Sequence, residues 1–86
     1  MKSESRKKFE EYIRSIGFKL HSYYNKEVFS FKYDRYVIII DMNNVTYRIV
    51  YKGKTLNGNY DINNISLLNV YFNEELRRIK LKKILE

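Results

Sequence analysis

His21 is the only histidine in the chain, and there is no cysteine. A histidine pair for zinc, a histidine-mediated triad or a thiolate metal site each needs partners that this inventory does not hold. The nearest approach to a hydrolytic centre is the set Glu27, Asp34 and Asp41. A common pattern of metal-dependent nucleases places an acid two residues before a lysine on the strand after the aspartate. Here the stretch after Asp41 reads Val45-Thr46-Tyr47-Arg48, with no acid. Asp34 and Asp41 have simpler roles at a turn and a strand end, where their side chains can bond the nearby backbone. Gly17, Gly53 and Gly58 fall in no phosphate-cradling spacing. No residue is therefore assigned to catalysis, to a cofactor or to a metal, and the chain is expected to bind rather than to catalyse.

What it could bind follows from its charge. Seventeen basic residues against ten acidic ones give a net charge of +7, a field that attracts phosphate backbones, acidic protein surfaces or anionic lipid. The basic residues concentrate at the two ends: Lys2, Arg6, Lys7 and Lys8, then Arg77, Arg78, Lys80, Lys82 and Lys83. Terminal helices packed side by side would merge these clusters into one positive surface. A further set, Lys19, Tyr23, Lys32 and Arg48, falls on one face of the sheet inferred below. The partner-binding candidates are accordingly Arg6, Lys7, Lys19, Tyr23, Lys32, Arg48, Arg77, Arg78, Lys80 and Lys83. Phe18, Tyr33, Tyr36 and Tyr51 could stack bases as in single-strand binders, but they lie on the face that most needs covering and read better as core.

The elements that position these residues are legible from periodicity. Phe9, Tyr12, Ile13 and Ile16 recur at i, i+3, i+4 and i+7, one apolar helical stripe. Ser3 or Ser5 can cap its start, and Gly17 can end it in a left-handed conformation. From Phe18 to Tyr51 the period becomes two and the residues aromatic and β-branched. Asn25-Lys26, Asp34-Arg35 and Asn43-Asn44 punctuate this stretch as turns and leave the runs 18–24, 27–33, 36–42 and 45–51. Two-residue loops pair 24 with 27, 33 with 36 and 42 with 45. In that register one face collects Phe18, Leu20, Phe29, Phe31, Tyr33, Tyr36, Ile38, Ile40, Met42, Val45, Tyr47, Ile49 and Tyr51, and with them Ser22, Glu27 and the end residue Tyr24.

The other face is mixed: Lys19, His21, Tyr23, Val28, Ser30, Lys32, Val37, Ile39, Asp41, Thr46, Arg48 and Val50. Its valines and Ile39 are more apolar than solvent demands, so it is a candidate binding surface unless a terminal helix covers it. The stretch 52–59 reads as loop by its glycines and asparagines. Asp61 is expected to cap a short helix through Ile65, Leu68 and Phe72, and Asn73-Glu74-Glu75 to open a second one. The fold class is thus α+β: an N-terminal helix, a four-stranded antiparallel meander and a C-terminal helical segment, in one domain over residues 1–86.

At 86 residues and 44% hydrophobic the chain suits one self-folding core. The lack of cysteine, of an apolar stretch behind the N-terminal charges and of any run of about 18 apolar residues points to the cytoplasm rather than to export or a membrane. Lys, Asn, Ile, Tyr and Phe, all with AT-rich codons, supply 44 of the 86 residues, as expected for an AT-rich bacterium or its phage.

The order helix, meander, helix resembles the double-stranded RNA-binding domain in outline. That family's loop and phosphate-binding lysines are replaced here by Asn25-Lys26 and Asn73-Glu74-Glu75, so no RNA contact carries over. The Phe9-Tyr12-Ile13-Ile16 helix, the 18–51 meander and the Arg77–Lys83 tail together resemble small phage-encoded anti-CRISPR proteins. That resemblance implies a non-enzymatic inhibitor docking on a bacterial CRISPR effector nuclease or its guide RNA in the host cytoplasm. A +7 chain cannot mimic DNA, which turns the expectation toward an RNA-targeting, type VI effector. The alternative is a free-standing basic RNA-binding domain.

Overall fold

A computed structural model describes residues 2–74, 77 and 78 of the chain. The first helix, α1, runs Lys2–Ile16 and buries Phe9, Ile13 and Ile16 from the expected stripe. It stops at Gly17, whose φ of 129° is open to glycine and closed to most other residues. The Gly17 amide bonds the carbonyls of Ile13 and Arg14, which satisfies acceptors the helix end would otherwise leave open. Space enforces the same choice: a Cβ at Gly17 would lie 2.8 Å from the Tyr33 ring.

Five strands follow: β1 (Lys19–Tyr23), β2 (Val28–Tyr33), β3 (Tyr36–Asp41), β4 (Thr46–Tyr51) and β5 (Lys54–Asp61). They form one antiparallel sheet in chain order. The chain is thus α+β, with an N-terminal helix, an antiparallel sheet and a short C-terminal helix, α2 (Ser66–Tyr71). The expected register holds between β2 and β3, where Phe29 faces Ile40 and Tyr33 faces Tyr36, and between β3 and β4, where Ile38 faces Ile49.

Several expectations need correction, among them the cap at Ser3 or Ser5, both of which lie inside α1. The sheet has more than four strands, because the stretch 52–59 is mostly not loop: Lys52 and Gly53, at φ 51° and 83°, form a tight hairpin turn that returns the chain as β5 along β4. Positive φ at both central residues is the conformation whose twist matches flanking strands. The β1–β2 pairing begins in the expected register, Lys19 to Lys32 and Leu20 to Phe31, and then slips by one residue at a bulge. Ser22 therefore faces Ser30 and Tyr23 faces Phe29, so Ser22 and Tyr23 exchange the sides assigned to them. Finally, Asp61 ends β5 and accepts the Asn63 amide at 2.8 Å rather than capping a helix. The short helix begins at Ser66, whose amide is bonded by the Asn64 side chain at 3.1 Å. Asn73, Glu74, Arg77 and Arg78 are helical, as expected of a second helical start.

The core lies between the helices and one sheet face. Phe29, Phe31, Ile38, Ile40, Met42, Tyr47 and Ile49 from the sheet meet Phe9, Ile13 and Ile16 of α1, together with Leu68 of α2 and the adjoining Phe72. Phe9 stacks on Tyr47 at 4.6 Å, and Phe72 meets Phe18 at 5.3 Å and Tyr36 at 4.8 Å edge-on. Tyr12 of α1 donates to the Asn69 side chain of α2 at 2.9 Å, joining the two helices. Leu20, assigned to this core, is instead 42% exposed beside the bulge.

Candidate docking surface

Both helices sit on the same side of the sheet, and the strand pairings order the opposite side into three cross-strand rows. The first row reads Lys19, Lys32, Val37, Val50, Thr55 across all five strands. The second reads Ser22, Ser30, Ile39, Arg48. The third reads Val28, Asp41, Thr46, Asp61. Residues directly opposite each other on an antiparallel pair share a face and touch. This face therefore carries Lys19 and Lys32 in its first row and Asp41 and Asp61 in its third, with Val37 and Val50 half-exposed in the first row and Ile39 in the second.

No described aromatic ring stands in these rows. Every Phe and Tyr of the strands belongs to the helix side, including Tyr23, which the bulge carries over to Phe29 at a ring distance of 5.6 Å. The aromatic row considered for base stacking is occupied: Phe18 is buried, Tyr33 and Tyr36 pack against the core, and Tyr51 lies against the Tyr36 ring at 4.7 Å. Ser30, at the centre of the second row, is fully buried and its hydroxyl has no hydrogen-bond partner among the described residues.

Between the second and third rows lies a hollow of about 150 Å³ lined by Val28, Ile39, Asp41, Thr46, Arg48 and Asn59. Asp41 is tied to the adjoining turn: its carboxylate oxygens accept from the Asn43 amide and the Asn44 side chain, each at 2.9 Å. Arg48 is exposed. The sequence could not show this hollow, because Asn59 belongs to β5, whose glycines and asparagines read as loop.

The basic candidates divide between the two sides. Lys19, Lys32 and Arg48 stand exposed on the face opposite the helices. Arg6 is engaged within the fold: its guanidinium lies 4.3 Å over the Phe29 ring and pairs with Glu10 at 3.3 Å. Arg14 repeats the arrangement at 4.9 Å over Phe31, a role that the helical spacing of eight residues would have suggested. Lys7 is exposed on α1 among Lys8, Glu4 and Glu11, a mixed rather than a purely positive surface. Tyr23 is 60% exposed at the sheet edge, on the side away from Lys19 and Lys32. Arg77 and Arg78 are exposed, whereas Lys80 and Lys83 lie outside the described residues.

His21 sits exposed at the β1 bulge and Asp34 in the β2–β3 turn at φ 53°. Among the described residues no three His, Asp or Glu side chains group to hold a metal, and no helix is long and apolar enough to cross a membrane. One perturbed ionisable group has a structural cause: burial, then the phenols of Tyr60 and Tyr12, pushes Tyr47 up to about 12. Its hydroxyl donates to the Asn64 carbonyl and fixes the β5–α2 connection. Compared with protein-family models, curated proteins and solved structures, the chain matches none.

Proposed function

We propose that this chain is a non-enzymatic binding protein that docks on another protein through the sheet face opposite its helices. The observation that carries the reading is the segregation of side chains. Aromatics fill the helix side, while the opposite face pairs half-exposed Val37, Ile39 and Val50 with exposed Lys19, Lys32 and Arg48. An aliphatic centre rimmed by charge is the make-up of a protein interface, whose core excludes water and whose rim selects sign. Sequence-tolerant binding of single strands instead needs exposed rings on which bases stack, and this face presents none among its described residues.

Lys19 and Lys32 at one end of this face, with Arg48 beside Ile39, call for an acidic patch on the partner opposite them. Combined with the resemblance drawn from the sequence, the specific proposal is an inhibitor that seats on a bacterial RNA-guided nuclease in the host cytoplasm. A free-standing RNA-binding domain is the competing reading, supported by the +7 charge. Affinity purification from host lysate, with and without RNase, separates the two. The inhibitor reading expects a discrete nuclease in a saturable one-to-one complex that survives RNase and loses affinity in Ile39→Asp. Recovery of RNA alone, with affinity falling steeply as salt rises, would establish the competing reading.

A further inference from the structure

The hollow beside Arg48 gives the docking reading a chemical anchor. At about 150 Å³ it is well below the roughly 300 Å³ at which small-molecule and cofactor pockets begin, and holds the equivalent of about five waters. It is the size of one side chain. Val28 and Ile39 offer aliphatic walls, and Thr46 and Asn59 offer polar groups.

Two charges face this space, and they are not equivalent. Asp41 has both carboxylate oxygens engaged by turn donors at 2.9 Å. Arg48 makes no ion pair among the described residues, where Arg6 with Glu10 is the one pair formed. Lys19 and Lys32 stand along the same face, and the chain carries +7 overall. A second copy of the chain would bring one net +7 charge against another, and a basic side chain would meet Arg48 as a like charge, with Asp61 opposite Thr46 in the adjoining row and the Asp41 oxygens already held by the turn. A carboxylate meets a guanidinium whose fork of donors matches its two oxygens.

Resting on the docking reading above, we infer that this hollow seats one acidic side chain of the partner protein, with its methylenes against Val28 and Ile39 and its carboxylate on Arg48. The Asp41 carboxylate opposes the occupant and limits the affinity, which makes the seat selective for a side chain long enough to reach Arg48 past it. Glutamate meets that requirement better than aspartate.

The probe is N-acetyl-glutamate amide, titrated into the labelled chain and followed by amide chemical shifts, with N-acetyl-arginine amide and inorganic phosphate as comparisons. Saturable shifts at Val28, Ile39, Thr46, Arg48 and Asn59 are expected with the glutamate probe. They should weaken about tenfold or more in Arg48→Gln, the loss of a charge-assisted pair, and tighten in Asp41→Asn, with the spectrum otherwise unchanged in both. Preference for the arginine probe overturns the inference. So do shifts with phosphate equal to those with the glutamate probe, glutamate shifts unaltered by Arg48→Gln, or no saturable shift at all. The purified partner complex keeps the two readings apart: full affinity in Arg48→Gln with loss in Ile39→Asp removes the anchor and leaves the docking face standing. Loss of affinity in both supports the two together.

Discussion

Lys19 and Lys32 face each other directly across β1 and β2, two exposed cations in one cross-strand pair. Like charges so placed destabilise a sheet by a fraction of a kcal/mol to about 1 kcal/mol, and the fold carries that cost on the face proposed to meet an acidic partner. Lys19→Glu turns the pair into an attractive one. The expected outcome is a melting temperature raised by a few degrees together with weaker capture of the partner, read by thermal denaturation and by binding on the same preparation. A variant that melts higher and binds as before would detach this pair from function.

Ile38 and Ile39 are neighbours with opposite tasks: Ile38 is fully buried against the helices, and Ile39 is half-exposed on the other face. Ile38→Asp places an unpaired charge in the core, at a cost on the order of 5 kcal/mol, comparable to the whole stability of a domain this size. That variant is expected to be unfolded by circular dichroism. Ile39→Asp should fold with a melting temperature near that of the parent and lose docking.

The Tyr47 phenol supplies a prediction in alkali. Its folded value of about 12 lies above the ordinary tyrosine value of 10, so the neutral form is favoured by folding. The corresponding stability is present below pH 10 and is lost as pH rises from 10 toward 12, about 2–3 kcal/mol for a shift of this size. Urea titrations at pH 9, 10, 11 and 12 should show this decline, and Tyr47→Phe should flatten it while lowering stability at pH 9 through the orphaned Asn64 carbonyl.

Gly17 combines a φ of 129° with a Tyr33 ring in the path of any Cβ. Gly17→Ala is expected to cost about 1–3 kcal/mol, and with it roughly 5–20 °C of melting temperature in a chain of this size. A melting temperature within about 2 °C of the parent would mean that the connection between α1 and β1 relaxes freely.

These residues also show where sequence reading stops. The α1 stripe and the β2–β3–β4 register were legible because strong alternation meets two-residue turns, and a wrong register would have mixed polar residues into the core. β5 escaped because an edge strand packs mainly one side: Lys54-Thr55-Leu56-Asn57-Gly58-Asn59-Tyr60-Asp61 carries few β-formers, and a register shift opposite Tyr47–Ile49 breaks its alternation. A signal was present in Lys52-Gly53, nine residues after Asn43-Asn44. The bulge in β1 had none, since a single extra residue changes no residue type. It alone decided on which side Tyr23 stands, and through β5 and that bulge the make-up of the candidate face stayed partly hidden.

That bulge bears on how the protein behaves in concentrated solution. A sheet in the order β1 to β5 ends at β1, whose outer edge would otherwise present evenly spaced backbone donors and acceptors to any passing chain. With His21 as the extra residue between Leu20 and Ser22, the edge is kinked after two residues and cannot template a long straight neighbour. Deleting His21 would keep Ser22 opposite Ser30 and Tyr23 opposite Phe29 while straightening the edge. The shortened protein would have an intact core and a stronger tendency to self-associate, visible as light scattering that grows with concentration in a sample whose monomer spectrum is unaltered.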